Sequence, residues 1–320
     1  MFGKIPHKTK QFFFVLIKLS IVVGAFYFIY NKLTSNPDLN FQDFVNYLAE
    51  ANQFSLKTIS FLIILSFLNW FFEILKWQAL VSSLKKISFY KAMEQSLSSL
   101  TASLLTPNRI GEYGVKAMYY SPSERKRMVA LNLLGNGLQM LVTVLLGSVG
   151  LYLFLNEYET DINYHKIARF GVIISFIAVI GYIAISKSQV LFKGFSVQKI
   201  TNYFKQLPFK IYSIVFIFAV IRYAIFSFQF YYILTLFGVS ASYYNALIII
   251  TSMYFLASVI PSLFIFDVII KGSVAVYLFA IVGVNAFTVL STVTIMWLLN
   301  VVIPSVFGSI FVLKFKLHKS

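Results

Sequence analysis

Apolar residues run along this chain in stretches of about 20 positions, the length a helix needs to cross ~30 Å of hydrocarbon. Six runs qualify as full spans: about 11–31, 56–81, 128–155, 169–187, 211–237 and 286–313. Two further regions, about 93–127 and 244–284, are apolar but broken in the middle by proline and charge. An outer-membrane barrel would instead show ~10-residue segments of alternating polarity. The pattern predicts an all-α polytopic membrane protein, a single transmembrane domain over residues 1–320 with halves of about 1–160 and 161–320.

Composition agrees. Only 12% of the residues are charged and 59% are hydrophobic, about half the charged share of an ordinary soluble domain. A water-soluble globule of this size has no room to hide so much apolar surface. The formal charge of +16 would suggest nucleic acid in a soluble protein, but here its placement matters more. Seventeen of the Lys and Arg residues fall in segments that share one side of the membrane: around 4–10, 85–91, 125–127, 187–210 and 314–319. The opposite segments hold Lys32, Lys57, Lys166 and Arg169 with six acids. Positive-inside counting therefore places both termini in the cytoplasm. The basic N-terminus and its long apolar run, which lacks an A-x-A site, read as an uncleaved first span. There is no cysteine, and His7, His165 and His318 are far apart. No metal, cofactor or nucleic-acid partner is expected.

Two cytoplasmic termini require an even number of crossings, so each broken region must return to its own side. Residues 93–127 then form a re-entrant hairpin from the cytoplasm and 244–284 one from outside, giving two halves of opposite topology, as in inverted-repeat transporters. The hairpins resemble one another. SLLTPNRIGEYGVKAMYY carries Pro107, Glu112 and Lys116; ASVIPSLFIFDVIIKGSVAVY carries Pro261, Asp267 and Lys271. In each, an acid follows the proline by five or six residues and a lysine follows the acid by four, a spacing that lets the two pair on one helix face. Pro107, Gly111 and Pro261 are the expected breakers. Whether 244–284 is re-entrant or two full spans stays open, since its arms are longer. Broken backbone at membrane depth must be met by protein or water, so the tips are expected to line a hydrated cavity.

The segment TPNRIGEYGVKA resembles the Pro-x-Arg-x-Gly-Glu signature of the lysylphosphatidylglycerol synthase/flippase transmembrane family. The second hairpin is similar to that family's Gly-rich IPGGLGxRE segment, with Ser262, Leu263 and Phe264 in place of glycines and Asp267 and Lys271 in place of Arg-Glu. Two-part members carry a soluble aminoacyl-transfer domain after the membrane region, whereas this chain stops at KFKLHKS. The resemblance therefore implies the translocase-like membrane half alone, without lysyl transfer.

Ionisable groups inside spans are costly and mark function by default. The candidates are Lys18, Glu73, Lys76, Glu94, Arg109, Glu112, Lys116, Arg222, Asp267 and Lys271. Lys18 can snorkel, and Glu94 suits a helix start at the interface. Asn69, Glu73 and Lys76 form a stripe at i, i+4, i+7; Asn132, Asn136 and Gln139 repeat it; Arg222 and Gln229 occupy the two ends of a third. We expect these stripes and both hairpin tips to surround one cavity. Arg109 offers planar, permanently charged donors to a phosphate, and a helix starting after Gly111 would add its N-terminal N–H groups. The 187–210 stretch reads as a basic inner loop and 36–52 as a short outer surface helix.

No P-loop, G-x-S-x-G elbow or H-E-x-x-H motif is present in the sequence. The expectation is a non-enzymatic, flippase-like translocase of the bacterial inner membrane. It would move an anionic phospholipid or lipid-linked precursor. Arg109, Lys116, Arg222 and Lys271 would meet the headgroup; Glu73, Glu112 and Asp267 would balance charge or relay protons; Asn132 and Asn136 would line the path. A secondary transporter of a small anion, a non-transporting partner of a separate lipid-modifying enzyme and an intramembrane enzyme remain alternatives. Substrate, direction, energy source and oligomeric state are left open.

Overall fold

The computed structural model describes residues 54–104, 106, 110–158, 191–192, 195–259 and 264–315, with scattered positions before residue 54; for 191–192, 195–197, 259 and 264–270 only the backbone is described. Of the expected spans, 169–187 lies outside the described residues and 11–31 is represented by isolated helical positions. Pro107, Arg109, Pro261, Lys18, the side chain of Asp267 and nearly all of 36–52 also lie outside them.

Helix α1 (Leu56–Val81) starts at Ser55, whose side chain accepts from the Thr58 N–H. It is followed by α2 (Phe89–Ser103), α3 (Ile110–Met118) and α4 (Arg125–Glu157). A two-residue antiparallel ladder, Leu191–Phe192 with Phe195–Ser196, leads into α5 (Val197–Gln206) and α6 (Phe209–Leu236). Then come α7 (Tyr243–Val259), α8 (Phe264–Ile281) and α9 (Ala286–Trp297), which runs through a π-helical turn at Leu298–Val302 into α10 (Ile303–Lys314). Four helical stretches are long and apolar enough to cross a membrane: α1, α4, α6 and α9–α10 together. They match four of the expected spans to within about three residues. The protein is an integral membrane protein, and its described residues are all-helical apart from the short ladder.

The first broken region forms two arms. At ~1.5 Å per residue the 15 residues of α2 reach about 22 Å and the 9 of α3 about 13 Å, so neither crosses the hydrocarbon. The arms pack on one another. The descending helix ends at Ser103, ahead of Pro107, and α3 begins at Ile110, one residue earlier than Gly111. Gly111 is required there: a Cβ would lie 2.7 Å from the Ala102 carbonyl oxygen. Within the stretch expected as a loop at 187–210, residues 197–206 form α5, which packs the partly buried Tyr203 and Phe204 against a cluster built on Ile74, Trp77, Leu80 and Met128.

Long helices pair in a definite pattern: α1 with α6, α4 with α7, and α2 with α10. Gly147 and Gly150 let α4 press onto Thr251 and Phe255 of α7, and Gly308 lets α10 press onto Leu97 and Thr101 of α2. Close approach through small residues is how helices associate where lipid offers no hydrophobic drive. Helices α6 and α8 end in left-handed glycines, Gly238 (φ 81°) and Gly283 (φ 77°). The N–H groups of Val239 and Val284 there close on Leu234 and Phe279. Outward faces are apolar; Leu133, Leu141, Leu145 and Val149 of α4 are all exposed, as a lipid-facing surface should be.

Candidate functional site

The polar positions of α1, α4 and α6 converge. Asn69, Glu73 and Lys76 are all buried within the bundle. Arg222 of α6 donates through Nη1 to Glu73 Oε2 and to Gln139 Oε1 of α4 (3.1 Å). Its Nε donates to the Asn69 carbonyl and side-chain oxygens, both at 3.1 Å. Glu73 Oε2 also takes Lys76 Nζ at 2.6 Å. One carboxylate is thus shared by two cations from two helices, which is what makes a buried guanidinium tolerable at this depth.

A second ion pair comes from the first hairpin. Lys116 Nζ lies 2.8 Å from Glu112 Oε1 and 2.8 Å from Asn132 Oδ1 of α4, and 4.4 Å from the Trp77 ring centroid. The i, i+4 spacing read from sequence is the spacing used. Trp77 is itself fixed by donating to Gln95 Oε1 (2.7 Å), which also accepts from Tyr120 (2.9 Å).

A polar bridge continues past Asn69. Its Nδ2 donates to Asn300 Oδ1 (2.8 Å), and Asn300 Nδ2 donates to Gln229 Oε1 (2.8 Å). Asn300 sits in the π-helical turn, and the cause is four residues on. Pro304 has no N–H, so carbonyls four and five residues back lose a helical donor. The Asn300 carbonyl instead accepts from Trp70 Nε1 (3.0 Å) and the Leu299 carbonyl from Ser66 Oγ (2.5 Å). Residues of α1 thereby satisfy the break in the last span.

These groups open onto a cavity of about 440 Å³. It is lined by Asn69, Glu73, Lys76, Glu112, Lys116, Asn136, Gln139, Arg222, Lys271 and Asn300, by Ser96 and Ser99 of α2, and by Trp70, Tyr223, Phe226, Phe230, Tyr254 and Trp297. Among the described lining residues four are cationic and two acidic. Of the residues singled out from sequence, Asn69, Glu73, Lys76, Glu112, Lys116, Asn136, Gln139, Arg222 and Lys271 line this one space. Asn132 does not; it stands behind Lys116 and holds it. Asn136 donates to the Tyr113 hydroxyl (3.1 Å). Glu94 lies within α2 rather than at its start. Ser96, Ser99, Trp297 and Asn300 were not singled out. The serine-rich run of α2, buried from Gln95 to Ser103, and the Asn300–Pro304 pair were the available signals.

A bundle of lipid-facing helices around a cavity lined with ionisable groups defines a polytopic membrane protein with an internal polar site. Residues 15–308 match the family described as the lysylphosphatidylglycerol synthase TM region, and the chain belongs to that family. No curated protein matches the chain.

Proposed function

We propose that this protein is a lipid translocase: the headgroup of an anionic phospholipid or lipid-linked precursor enters the cavity while its tails stay in the bilayer. The observation that carries this reading is the cavity's charge. Among the described lining residues Arg222, Lys76, Lys116 and Lys271 outnumber Glu73 and Glu112, and a wall rich in cations at bilayer depth favours a phosphate. Arg222 is the group that donates hydrogen bonds to the phosphate, with Glu73 holding it in register until the head arrives. The first hairpin supplies Lys116 to the same wall. The protein works without a bond-making step of its own, as a translocase and not an enzyme, driven downhill, by a gradient or by a partner.

The pairing pattern supports a six-span inverted repeat, and the clustering of Lys and Arg in alternate connecting segments supports cytoplasmic termini; a bacterial inner membrane is part of the proposal. Exchanging the halves maps α4 on α7 onto α10 on α2, and leaves α1 on α6 unchanged. In this arrangement each half's last span grips the other half's hairpin, and the cavity lies where the halves meet.

The test is transbilayer movement of fluorescent phosphatidylglycerol in proteoliposomes, read by dithionite quenching. The wild type should accelerate exchange over protein-free vesicles, and Arg222→Gln should lower the rate about tenfold or more. A wild-type rate equal to that of empty vesicles would falsify the reading.

A further inference from the structure

The last span changes partners at its break. Its first part, α9, packs on α8 and α6, whereas its second part, α10, packs on α2 of the first hairpin. Helix α10 is fastened there: Thr101 Oγ1 of α2 donates to the Ser305 carbonyl (2.8 Å), and Gly308 lets α10 approach the backbone at Leu97. Between the two parts lies the π turn, whose carbonyls Pro304 deprives of helical donors. Its own backbone therefore does not fix the angle between α9 and α10. Side chains of α1 do. Ser66, Asn69 and Trp70 share one face of that helix and donate to the Leu299 carbonyl, Asn300 Oδ1 and the Asn300 carbonyl. Asn300 Nδ2 in turn donates to the Met296 carbonyl of α9 (3.1 Å) and to Gln229 Oε1 of α6 (2.8 Å). Breaks of this kind, at a proline and a π turn, are where helices bend.

The same bonds lead to Arg222. Asn69 Oδ1 accepts from Arg222 Nε (3.1 Å) while Asn69 Nδ2 donates to Asn300 Oδ1 (2.8 Å). An amide held at both ends keeps one orientation; held at one end, it turns about its side-chain bonds. A phosphate oxygen is a stronger acceptor for a guanidinium than an amide is. An anion gripped by Arg222 therefore displaces Asn69 Oδ1, and Asn69 no longer holds Asn300 in place. The geometric consequence falls on the cavity. Ser99 and Leu100 line it from α2, and Met296, Trp297 and Asn300 line it from α9 and the turn. The separation of these elements sets its width.

We propose that residues 298–302 are a hinge and that Asn69 and Asn300 are the positioning residues that couple it to Arg222. An anion taken by Arg222 loosens Asn300, and α10 swings together with α2 and widens the cavity. A ligand shifts such an equilibrium only by favouring one state; the favoured state is the one in which Arg222 has exchanged the Asn69 amide for a phosphate. The inference rests on the translocase reading for the anion's source, and the hinge itself rests on the packing of the last span.

The chain has no cysteine, so spin labels can be placed at Phe209→Cys and Leu313→Cys, 83% and 45% exposed at the start of α6 and the end of α10. The labelled full-length protein is held in phosphatidylcholine nanodiscs. A swing of about 20° over the ~18 Å of α10 displaces its end by roughly 6 Å. Pulsed dipolar spectroscopy should give one main distance in the otherwise unchanged chain. Asn300→Leu and Arg222→Met, made separately, should each add a population displaced by roughly 6 Å with no ligand present. Short-chain phosphatidylglycerol should move the unchanged chain to that same distance and leave Asn300→Leu as it is. Pro304→Ala restores the missing N–H and should keep the first distance with the lipid present; it serves if Asn300→Leu does not fold. Thermal stability falls in Asn300→Leu whether the residue couples or merely packs, so the distance decides. An unmoved distance in both Asn300→Leu and Arg222→Met, or a Pro304→Ala chain that responds like the unchanged one, overturns the hinge. A shift in Asn300→Leu that Arg222→Met does not share overturns the coupling. A shift produced by inorganic phosphate and not by the lipid upholds the coupling and overturns the translocase reading. Variant shifts that neither ligand reproduces overturn the anion as the trigger.

Discussion

Arg222 concentrates the argument at the scale of the residue. A guanidinium does not discharge, so its place among apolar neighbours on α6 is tenable only through Glu73, Gln139 and Asn69. Lysine cannot reach these acceptors with one planar fork. Arg222→Lys should therefore lose phosphatidylglycerol movement nearly as fully as Arg222→Gln, and near-wild-type rates for it would argue against a geometric role. Lys116 gives a stability test. Lys116→Met takes away the cation paired with the buried Glu112 carboxylate and should cost about 3–5 kcal/mol, whereas Glu112→Gln/Lys116→Met should recover most of that loss. Thermal unfolding in detergent reads both, and a double variant no better than the single one would sink the pairing argument. Charges stood out in the sequence because an apolar background makes them rare. Their partners did not, because which carboxylate neutralises Arg222 depends on how α1 lies against α6. Asn300 escaped notice for a related reason: a lone amide in a span looks like helix glue until the π turn shows what surrounds it.

Among the elements, small residues decide which helices can touch. A Cβ on Gly150 would fall 1.9 Å from Thr251 Oγ1, and one on Gly308 would fall 2.2 Å from the Leu97 carbonyl oxygen. Gly137, on the same helix as Gly150, has nothing within 4 Å. Gly150→Ala and Gly308→Ala should each destabilise by roughly 1–3 kcal/mol through overpacking, and Gly137→Ala should be neutral or slightly stabilising. Melting temperatures in one detergent check all three, and equal shifts would contradict the packing. Four spans were readable from the sequence because run length alone fixes them. The π turn in the last span was not, because its cause is Pro304 but its tolerance comes from Trp70 and Ser66 on a distant helix. Nor was α5 legible: a short, basic segment reads as a solvated loop until Tyr203 and Phe204 find a surface to cover.

For the whole molecule, the claim is that a wet, positively charged space lies inside a bundle whose outside is lipid-facing. Convergence of the stripes on α1, α4 and α6 was expected from sequence, since a polar stripe in lipid must face protein or water. The aromatic share of the lining was hidden, because Tyr223 and Tyr254 look like the chain's many other tyrosines until their burial is known. The chain's lack of cysteine allows the claim to be probed one position at a time. Thr143 and Leu145 stand two residues apart on α4, about 3 Å in depth; Thr143 lines the cavity, and Leu145 is 50% exposed on the outer surface. Thr143→Cys and Leu145→Cys are each treated, in proteoliposomes, with a charged thiol reagent that reacts only where water reaches. The account predicts labelling at position 143, slowed by added phosphatidylglycerol, and none at 145. Equal labelling at the two positions, or labelling at 143 that the lipid leaves unchanged, would contradict it.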